Sequence, residues 1–121
     1  MNTCGRHLLI ELEMADSAIM SDKVAVEAIL VKAAKATGAT VLSSHFHEFP
    51  GGGVTGVVVC GESHVSIHTW PEYRYGSADI FLCAGHKPML GVPYLQEGFK
   101  AGRIHTLELE RGMGGPPRLC L

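Results

Sequence analysis

The sequence lacks a long apolar run, a paired-cysteine motif and a strong excess of either charge. No stretch approaches the roughly 20 apolar residues of a bilayer-spanning helix, and acidic residues interrupt the N-terminal segment where a signal peptide needs an apolar core. The net charge of −2 gives no reason to expect a nucleic acid or an anionic membrane as a partner. We therefore predict a cytoplasmic protein with no nucleic-acid or membrane partner.

The four cysteines, Cys4, Cys60, Cys83 and Cys120, are widely spaced and form no C-x-x-C pair. This spacing argues against a zinc ribbon and predicts reduced thiols. In the absence of other signals, each cysteine is expected to be a small buried hydrophobic residue.

The composition is that of a single globular domain over residues 1–121, with 46% apolar and 18% charged residues. Hydrophobic periodicity predicts the element order β-α-β-β-β-β-α-β. The clearest helix covers residues 21–38, can be capped by Ser21 or Asp22, and is closed by Gly38. Its predicted apolar stripe consists of Val24, Ala28, Ile29, Val31 and Ala36. The tail at 113–121 is predicted to lack regular structure.

Short loops between the central strands favour antiparallel pairing. The predicted fold is therefore α+β: a two-layer sandwich with a mostly antiparallel sheet of about six strands and two helices on one face. The other face of the sheet must be polar, or it must contact another subunit.

The stretch "GESHVSIHTW", residues 61–70, carries most of the chemistry. Alternation along a strand places His64, Ser66, His68 and Trp70 on one face. In the next strand, a second alternating set shares one face: Ser77, Asp79, Phe81 and Cys83. Ser63 lies in the turn, where strand alternation does not define its direction.

Three interpretations follow from the residues alone. A metal site could use His64 and His68, joined by His45 and His47. However, the i, i+4 pair lies about 13 Å apart on a strand and the i, i+2 pair about 7 Å apart. We predict no metal. A hydrolase could use Ser63 with His68, but the stretch is not a G-x-S-x-G elbow and offers no obvious acid. Polar residues on a half-buried sheet are the third interpretation.

A longer pattern favours a fourth interpretation. "GVTGVVVCGESHVSIHTWPEY", followed by "ADIFLC", resembles the prokaryotic S-adenosylmethionine decarboxylases. The similarity extends to "GRHLLIELE", "GATVLSSHFHEF" and "ERG", and it covers roughly residues 5–112. The long "ESHVSIHTWPE" core is far more specific than a lone Ser-His pair. Members of this family are proenzymes that cut themselves and thereby acquire a pyruvoyl cofactor.

The resemblance implies cleavage between Glu62 and Ser63, giving a β chain of 1–62 and an α chain of 63–121. Ser63 attacks the carbonyl of Glu62 to form an ester. Removal of the Ser63 α-proton and elimination then leave a dehydroalanine, which hydrolyses to the pyruvoyl group and ammonia. By resemblance His68 is the processing base. A strained tight turn, made easier by Gly61, would favour this attack.

The resemblance also implies how the pyruvoyl group is used. It forms a Schiff base with S-adenosyl-L-methionine and accepts electrons as carbon dioxide leaves, which gives the aminopropyl donor of spermidine synthesis. Cys83 is the implied proton donor; an ordinary thiol suits this role because it is mostly protonated near neutral pH. The implied substrate-binding residues are Phe49, Thr55, His68 and Glu72, with Thr55 in place of the more common serine. The implied assembly is a homodimer of processed chains, (αβ)₂, with active sites at its interface.

Several positions depart from the family's usual pattern. Arg74, Gly76 and Ser77 stand where glycine, alanine and alanine are more common, and "PGGG" replaces a more varied loop. These departures leave open a pyruvoyl-dependent arginine or ornithine decarboxylase of the same fold. A non-catalytic partner subunit is a further alternative of another class.

Overall fold

Seven strands form a single sheet in the computed structural model of the chain, which describes residues 3–83 and 85–120. The strands are β1 (Gly5–Glu13), β2 (Val41–Glu48), β3 (Val54–Cys60), β4 (Ser63–Trp70), β5 (Tyr75–Cys83), β6 (Arg103–Arg111) and β7 (Arg118–Leu119). Their spatial order is β2-β3-β4-β5-β1-β6-β7, and all neighbours are antiparallel. The predicted α+β fold is confirmed.

Helices and short 3-10 turns connect the strands. The α-helices are α1 (Ser17–Met20), α2 (Lys23–Ala36) and α3 (Val92–Phe99), and the 3-10 turns are Pro71–Tyr73 and Pro88–Gly91. Helix α2 begins after Asp22, whose carboxylate accepts hydrogen bonds from the backbone N–H groups of Val24 and Ala25 at 3.1 and 3.2 Å. The one-turn helix α1 was not predicted from the sequence.

The predicted apolar stripe of α2 is only partly correct. Ile29 and Val31 are partly buried against the core, but the centre of the buried face lies elsewhere on the helix. Val24 is 75% exposed, whereas the fully buried residues of this helix are Val26, Leu30, Ala33 and Ala34. The helix is apolar around much of its circumference, so its periodicity fits two neighbouring stripes equally well. Packing of α2 on β2, β3 and β4 selects which stripe is buried in the core.

The two faces of the sheet differ in character. On the helix side, alternate residues such as Leu8 and Ile10 of β1 and Ile67 of β4 are completely buried. The opposite, open face mixes polar and apolar groups; Leu9 and Leu107 are paired across it and are 39% and 48% exposed. An open face with exposed leucines is consistent with the expected dimer, which stays a prediction at this point.

Strands from before and after residue 62 lie next to each other in the same sheet. Strand β1 lies between β5 and β6, and β3 pairs with β4. A cut of the peptide bond between Glu62 and Ser63 would therefore leave every strand pair of the sheet hydrogen-bonded. The tail also joins the sheet, since Arg118 and Leu119 pair with β6; the prediction of an unstructured tail is wrong there.

Two further predictions concern cysteines and membranes. Cys60 is buried as predicted, but Cys4 is exposed. None of the helices in the described part of the chain has the length and apolarity to cross a bilayer. The cytoplasmic location remains a prediction.

Candidate active site

Ser63 begins β4 directly after a two-residue turn. Cys60 and Ser63 are register partners, so Gly61 and Glu62 alone form the loop of the β3–β4 hairpin. Tight hairpin loops usually have a positive φ within the loop, but here the positive φ of 141° falls on Ser63. Such a conformation costs a non-glycine residue about 1–3 kcal/mol. The predicted tight turn is present, and backbone strain is concentrated on the residue predicted to react.

The carbonyl oxygen of Glu62 already accepts a hydrogen bond. The donor is the backbone N–H of Cys83 at the end of β5, at 3.0 Å. This N–H is fixed by the β4–β5 pairing, in which Ser63 lies opposite Leu82. It can therefore stabilise negative charge on that oxygen if the carbonyl is attacked. The structure thus brings three predicted residues, Glu62, Ser63 and Cys83, to one corner of the sheet.

The side chain of Glu62 is anchored away from its own carbonyl. Its carboxylate accepts a 2.8 Å hydrogen bond from the backbone N–H of Thr40, which is the main reason that the pKa of Glu62 is lowered. His86 adds a weaker attraction, with its Nε2 4.0 Å from the carboxylate. The other ring nitrogen of His86 lies 3.9 Å from the Sγ of Cys83. Sequence reasoning did not identify His86, which follows β5 in an irregular loop.

A second group of predicted residues lines a cleft at the other end of β4. The cleft has a volume of about 280 Å³. It contains all four residues predicted to bind substrate, and its lining comprises Phe49, Pro50, Gly51, Gly53, Thr55, His68, Thr69, Trp70 and Glu72. Phe49 and Trp70 are 48% and 40% exposed, so their rings are available for stacking.

His68 is held in this cleft by Thr55. The Thr55 Oγ1 lies 3.0 Å from the His68 Nδ1. If the ring donates its Nδ1–H to this hydroxyl, the Nε2 is left as a proton acceptor. The hydroxyl that Thr55 shares with serine is therefore engaged by His68. The Trp70 ring packs beside His68, with 6.3 Å between centroids.

The two groups do not meet within one chain. Ser63 and His68 lie at opposite ends of β4, five positions apart, which is about 17 Å at ~3.3 Å per residue. His68 cannot bridge this distance along a straight strand to act on Ser63 of its own chain. The predicted pair of Ser63 and its processing base is therefore split between the two ends of the strand.

Between the two groups lies a hydrogen-bonded cluster that the sequence analysis did not assemble. The Oδ2 of Asp79 lies 2.6 Å from the Nε2 of His7 and 2.9 Å from the Nε2 of His64, and Ser66 donates to Oδ1. Burial alone would raise the pKa of Asp79, but the hydrogen bonds from His64, Ser66 and His7 lower it to about 2. Asp79 therefore remains a carboxylate throughout the neutral range.

Comparison with known proteins points to one family. A sequence model described as S-adenosylmethionine decarboxylase matches residues 6–112. The S-adenosylmethionine decarboxylase proenzyme of Caldanaerobacter subterraneus subsp. tengcongensis is 46% identical over 118 residues, which cover 97% of this chain and 95% of that protein. The proenzyme of Moorella thermoacetica is 44% identical over 119 residues, covering 98% and 95%.

The chain belongs to the S-adenosylmethionine decarboxylase family. Its fold agrees, because the crystal structure of the adenosylmethionine decarboxylase from Aquifex aeolicus superposes with a TM-score of 0.82. That protein is 33% identical, and the match covers 95% of this chain and 96% of the other. The resemblance stated from the motifs is confirmed, and these names favour S-adenosylmethionine over the arginine, ornithine and non-catalytic alternatives.

Two of the departures from the family pattern have structural explanations outside the cleft. The Arg74 guanidinium donates to the backbone carbonyls of Ala15 and Met14 at 2.8 and 3.2 Å. At Gly76, a Cβ would lie 2.8 Å from the Met20 Cε, so a side chain here would require the end of the Met20 side chain to move. Ser77 is different, because it is the register partner of His68 on the open face.

Proposed function

We propose that this chain is a self-processing S-adenosylmethionine decarboxylase, cut between Glu62 and Ser63, whose cofactor is a pyruvoyl group made from Ser63. One observation carries the proposal. The strained Ser63 follows a carbonyl that already accepts a hydrogen bond from the Cys83 N–H at 3.0 Å. Strain at the reacting residue and a preorganised donor on the carbonyl are what an attack on this peptide bond requires.

Processing then follows from the residues at this corner. The Ser63 hydroxyl attacks the Glu62 carbonyl carbon, and the C–N bond breaks to leave an ester. Removal of the Ser63 α-proton allows elimination, which frees the Glu62 carboxylate. The resulting dehydroalanine hydrolyses to a pyruvoyl group and ammonia. Both fragments remain in one sheet because β1 of the first lies between β5 and β6 of the second.

The corner also fits the pyruvoyl group that would be formed there. The Cys83 side chain belongs to the open-face set of β5, next to the Ser63–Leu82 register pair. When present, the group supplies a ketone that takes up the substrate amine and an electron sink for the loss of carbon dioxide. We assign Cys83 the delivery of a proton to the substrate α-carbon.

The cleft at the other end of β4 suits an adenosyl sulfonium substrate. Phe49 offers an exposed ring for stacking and for cation–π attraction. Glu72 can accept hydrogen bonds from ribose hydroxyls, since it lines the same cleft. The Thr55 hydroxyl lies 3.0 Å from the His68 Nδ1. This contact leaves the His68 Nε2 free to contact the substrate or to accept the Ser63 α-proton.

A dimer resolves the separation of the two groups. Two copies can pack their open faces together around a twofold axis that lies between the sheets and crosses β4 near its middle. The axis reverses strand direction, so the Ser63 end of one copy meets the cleft end of the other, and each closed dimer contains two composite sites. His68 of each copy would then remove the Ser63 α-proton of its partner.

We predict that two inactive variants complement each other. When Ser63→Ala and His68→Ala chains are co-expressed with different tags, a mixed dimer contains one complete site, with Ser63 from one chain and His68 from the other. The His68→Ala chain should then be cut, although it stays mostly intact when expressed alone. Separation of the tagged chains on a denaturing gel measures this. Failure to cut the His68→Ala chain, in mixed dimers isolated by sequential tag purification, would place His68 in its own chain's site and contradict the composite arrangement.

The substrate is tested by measuring release of carbon dioxide from S-adenosylmethionine, arginine and ornithine supplied separately. We expect S-adenosylmethionine alone to be decarboxylated, because the cleft presents an exposed aromatic ring and Glu72 for its adenosyl moiety. Glu72→Gln should weaken use of this substrate at limiting concentration, whereas Glu97→Gln on α3, outside the cleft, should not. Release of carbon dioxide from arginine or ornithine, with none from S-adenosylmethionine, would overturn the proposed substrate.

A further inference from the structure

In the hydrogen-bonded cluster around Asp79, the donor and the acceptor of each bond can be assigned. Arg111 can only donate, and its NH1 lies 3.1 Å from the Nδ1 of His7. The Nδ1 of His7 therefore accepts, and its Nε2–H donates to Asp79 at 2.6 Å. Asp79, ionised, accepts from both histidines and from Ser66. This chain of bonds leaves His64 with its proton on Nε2.

The free nitrogen of His64 faces the reacting hydroxyl. With Nε2–H donated to Asp79 at 2.9 Å, the Nδ1 of His64 carries a lone pair, and it lies 3.5 Å from the Ser63 Oγ. This is the outer limit of a hydrogen bond, but catalytic hydrogen bonds are often long before reaction. The order serine, histidine, carboxylate is that of a nucleophile, its base and the group that orients the base.

We propose that His64 is the proton acceptor for Ser63 in the first step of self-cleavage, and that Asp79, held by His7, is the residue that positions it. This inference rests on the proposed function and adds a residue to it: His64 would act before ester formation, and His68 after it. The half-buried Asp79 and His7, with side chains 20% and 17% exposed, keep the tautomer of His64 fixed.

In this step a single proton moves from the Ser63 hydroxyl to His64 and then to the leaving nitrogen. As the Ser63 Oγ bonds to the Glu62 carbonyl carbon, its proton moves to the Nδ1 of His64. Negative charge develops on the carbonyl oxygen, which the Cys83 N–H stabilises. The proton then passes from His64 to the departing Ser63 nitrogen as the C–N bond breaks. His64 ends the step in its starting state, and the chain carries an ester in place of the amide.

The decisive measurement is the hydroxylamine sensitivity of uncut chain. Each variant is made by cell-free translation, and cleavage is followed on a denaturing gel. His64→Ala should slow cleavage about 100-fold or more, the usual range for a lost general base. Its uncut chain should resist hydroxylamine, because it stalls as an amide. Uncut His68→Ala, which stalls as an ester, should be cut by hydroxylamine. Added imidazole should partly restore cleavage of His64→Ala.

Asp79→Asn should slow cleavage at least about tenfold and should also stall as an amide, because the orienting carboxylate is lost. His45→Ala, on β2 two strands from β4, is the matched histidine control and should cut like the parent. Thermal unfolding of each purified variant shows whether the sheet is intact. A folded His64→Ala chain that cuts at the parent rate, or that accumulates a hydroxylamine-sensitive ester, would overturn the assignment.

Two other results would also decide against it. The ligand atoms of His7, His64 and Asp79 lie within 4.8 Å of one another, a spacing that a cation could bridge. If a chelator stops cleavage of the parent chain and zinc restores it, the cluster is a metal site instead of a proton acceptor. A parent chain that never cuts, although folded, would overturn the proposed function together with this inference.

Discussion

Ser63→Ala is expected to give an uncut chain of 121 residues with no decarboxylase activity. The substitution removes the attacking hydroxyl. Without its oxygen no ester can form and no elimination can convert the α-carbon of residue 63 into a keto carbon. Strain and the Cys83 hydrogen bond on the Glu62 carbonyl are retained, but they have no nucleophile to assist. The parent should instead give two fragments, 1–62 and 63–121, that co-purify under native conditions and separate only on denaturation.

Intact mass and carbon dioxide release, measured on the same preparations, check this prediction. Ser44→Ala is a suitable control, because the Ser44 hydroxyl donates to Glu27 at 2.7 Å on the surface, away from β4. It should cut and turn over like the parent. A cleaved product or any turnover from Ser63→Ala would end the pyruvoyl hypothesis, whatever its rate.

Much of this site could be predicted because strand alternation is local. Alternation places His64 with Ser66 on one strand and Asp79 with Cys83 on the next. The register of β4 and β5, which pairs Ser66 with Asp79, then puts both sets on the same face. The same rise per residue that separates His64 from His68 also separates Ser63 from His68. The sequence therefore already implied that Ser63 and His68 of one chain lie far apart, which is the separation that the proposed dimer would bridge.

What the sequence could not supply depends on long-range pairing. His7 reaches Asp79, 72 residues away, because β1 is inserted between β5 and β6. No local pattern specifies that insertion, since several strand orders satisfy the same alternation. The prediction of which α2 residues are buried was incorrect at Val24 for a related reason. Val24 and Val26 are equally apolar, and only packing decides which of them is buried.

Self-cleavage and decarboxylation should be affected separately: the first by His68→Ala, the second by Cys83→Ala. His68→Ala should leave mostly intact chain, because removal of the Ser63 α-proton stalls after the ester has formed. Cys83→Ala should still be cut, because the Cys83 group that contacts the Glu62 carbonyl is its backbone N–H, which alanine keeps. Cleavage and turnover must therefore be measured side by side in both variants.

After cleavage, Cys83→Ala should decarboxylate about 10²–10⁴-fold more slowly, the usual effect of a missing general acid. Without the thiol, the proton can reach the cofactor carbon instead of the substrate carbon. That misplaced protonation leaves an N-terminal alanine in place of the keto group and stops the enzyme within few turnovers. Mass spectrometry of the 63–121 fragment during turnover would detect this alanine. Cys120→Ala, in the tail after β7, is the matched thiol control and should behave like the parent. If Cys83→Ala turns over at the parent rate without inactivation, Cys83 contributes its backbone N–H to processing and its thiol contributes nothing to decarboxylation.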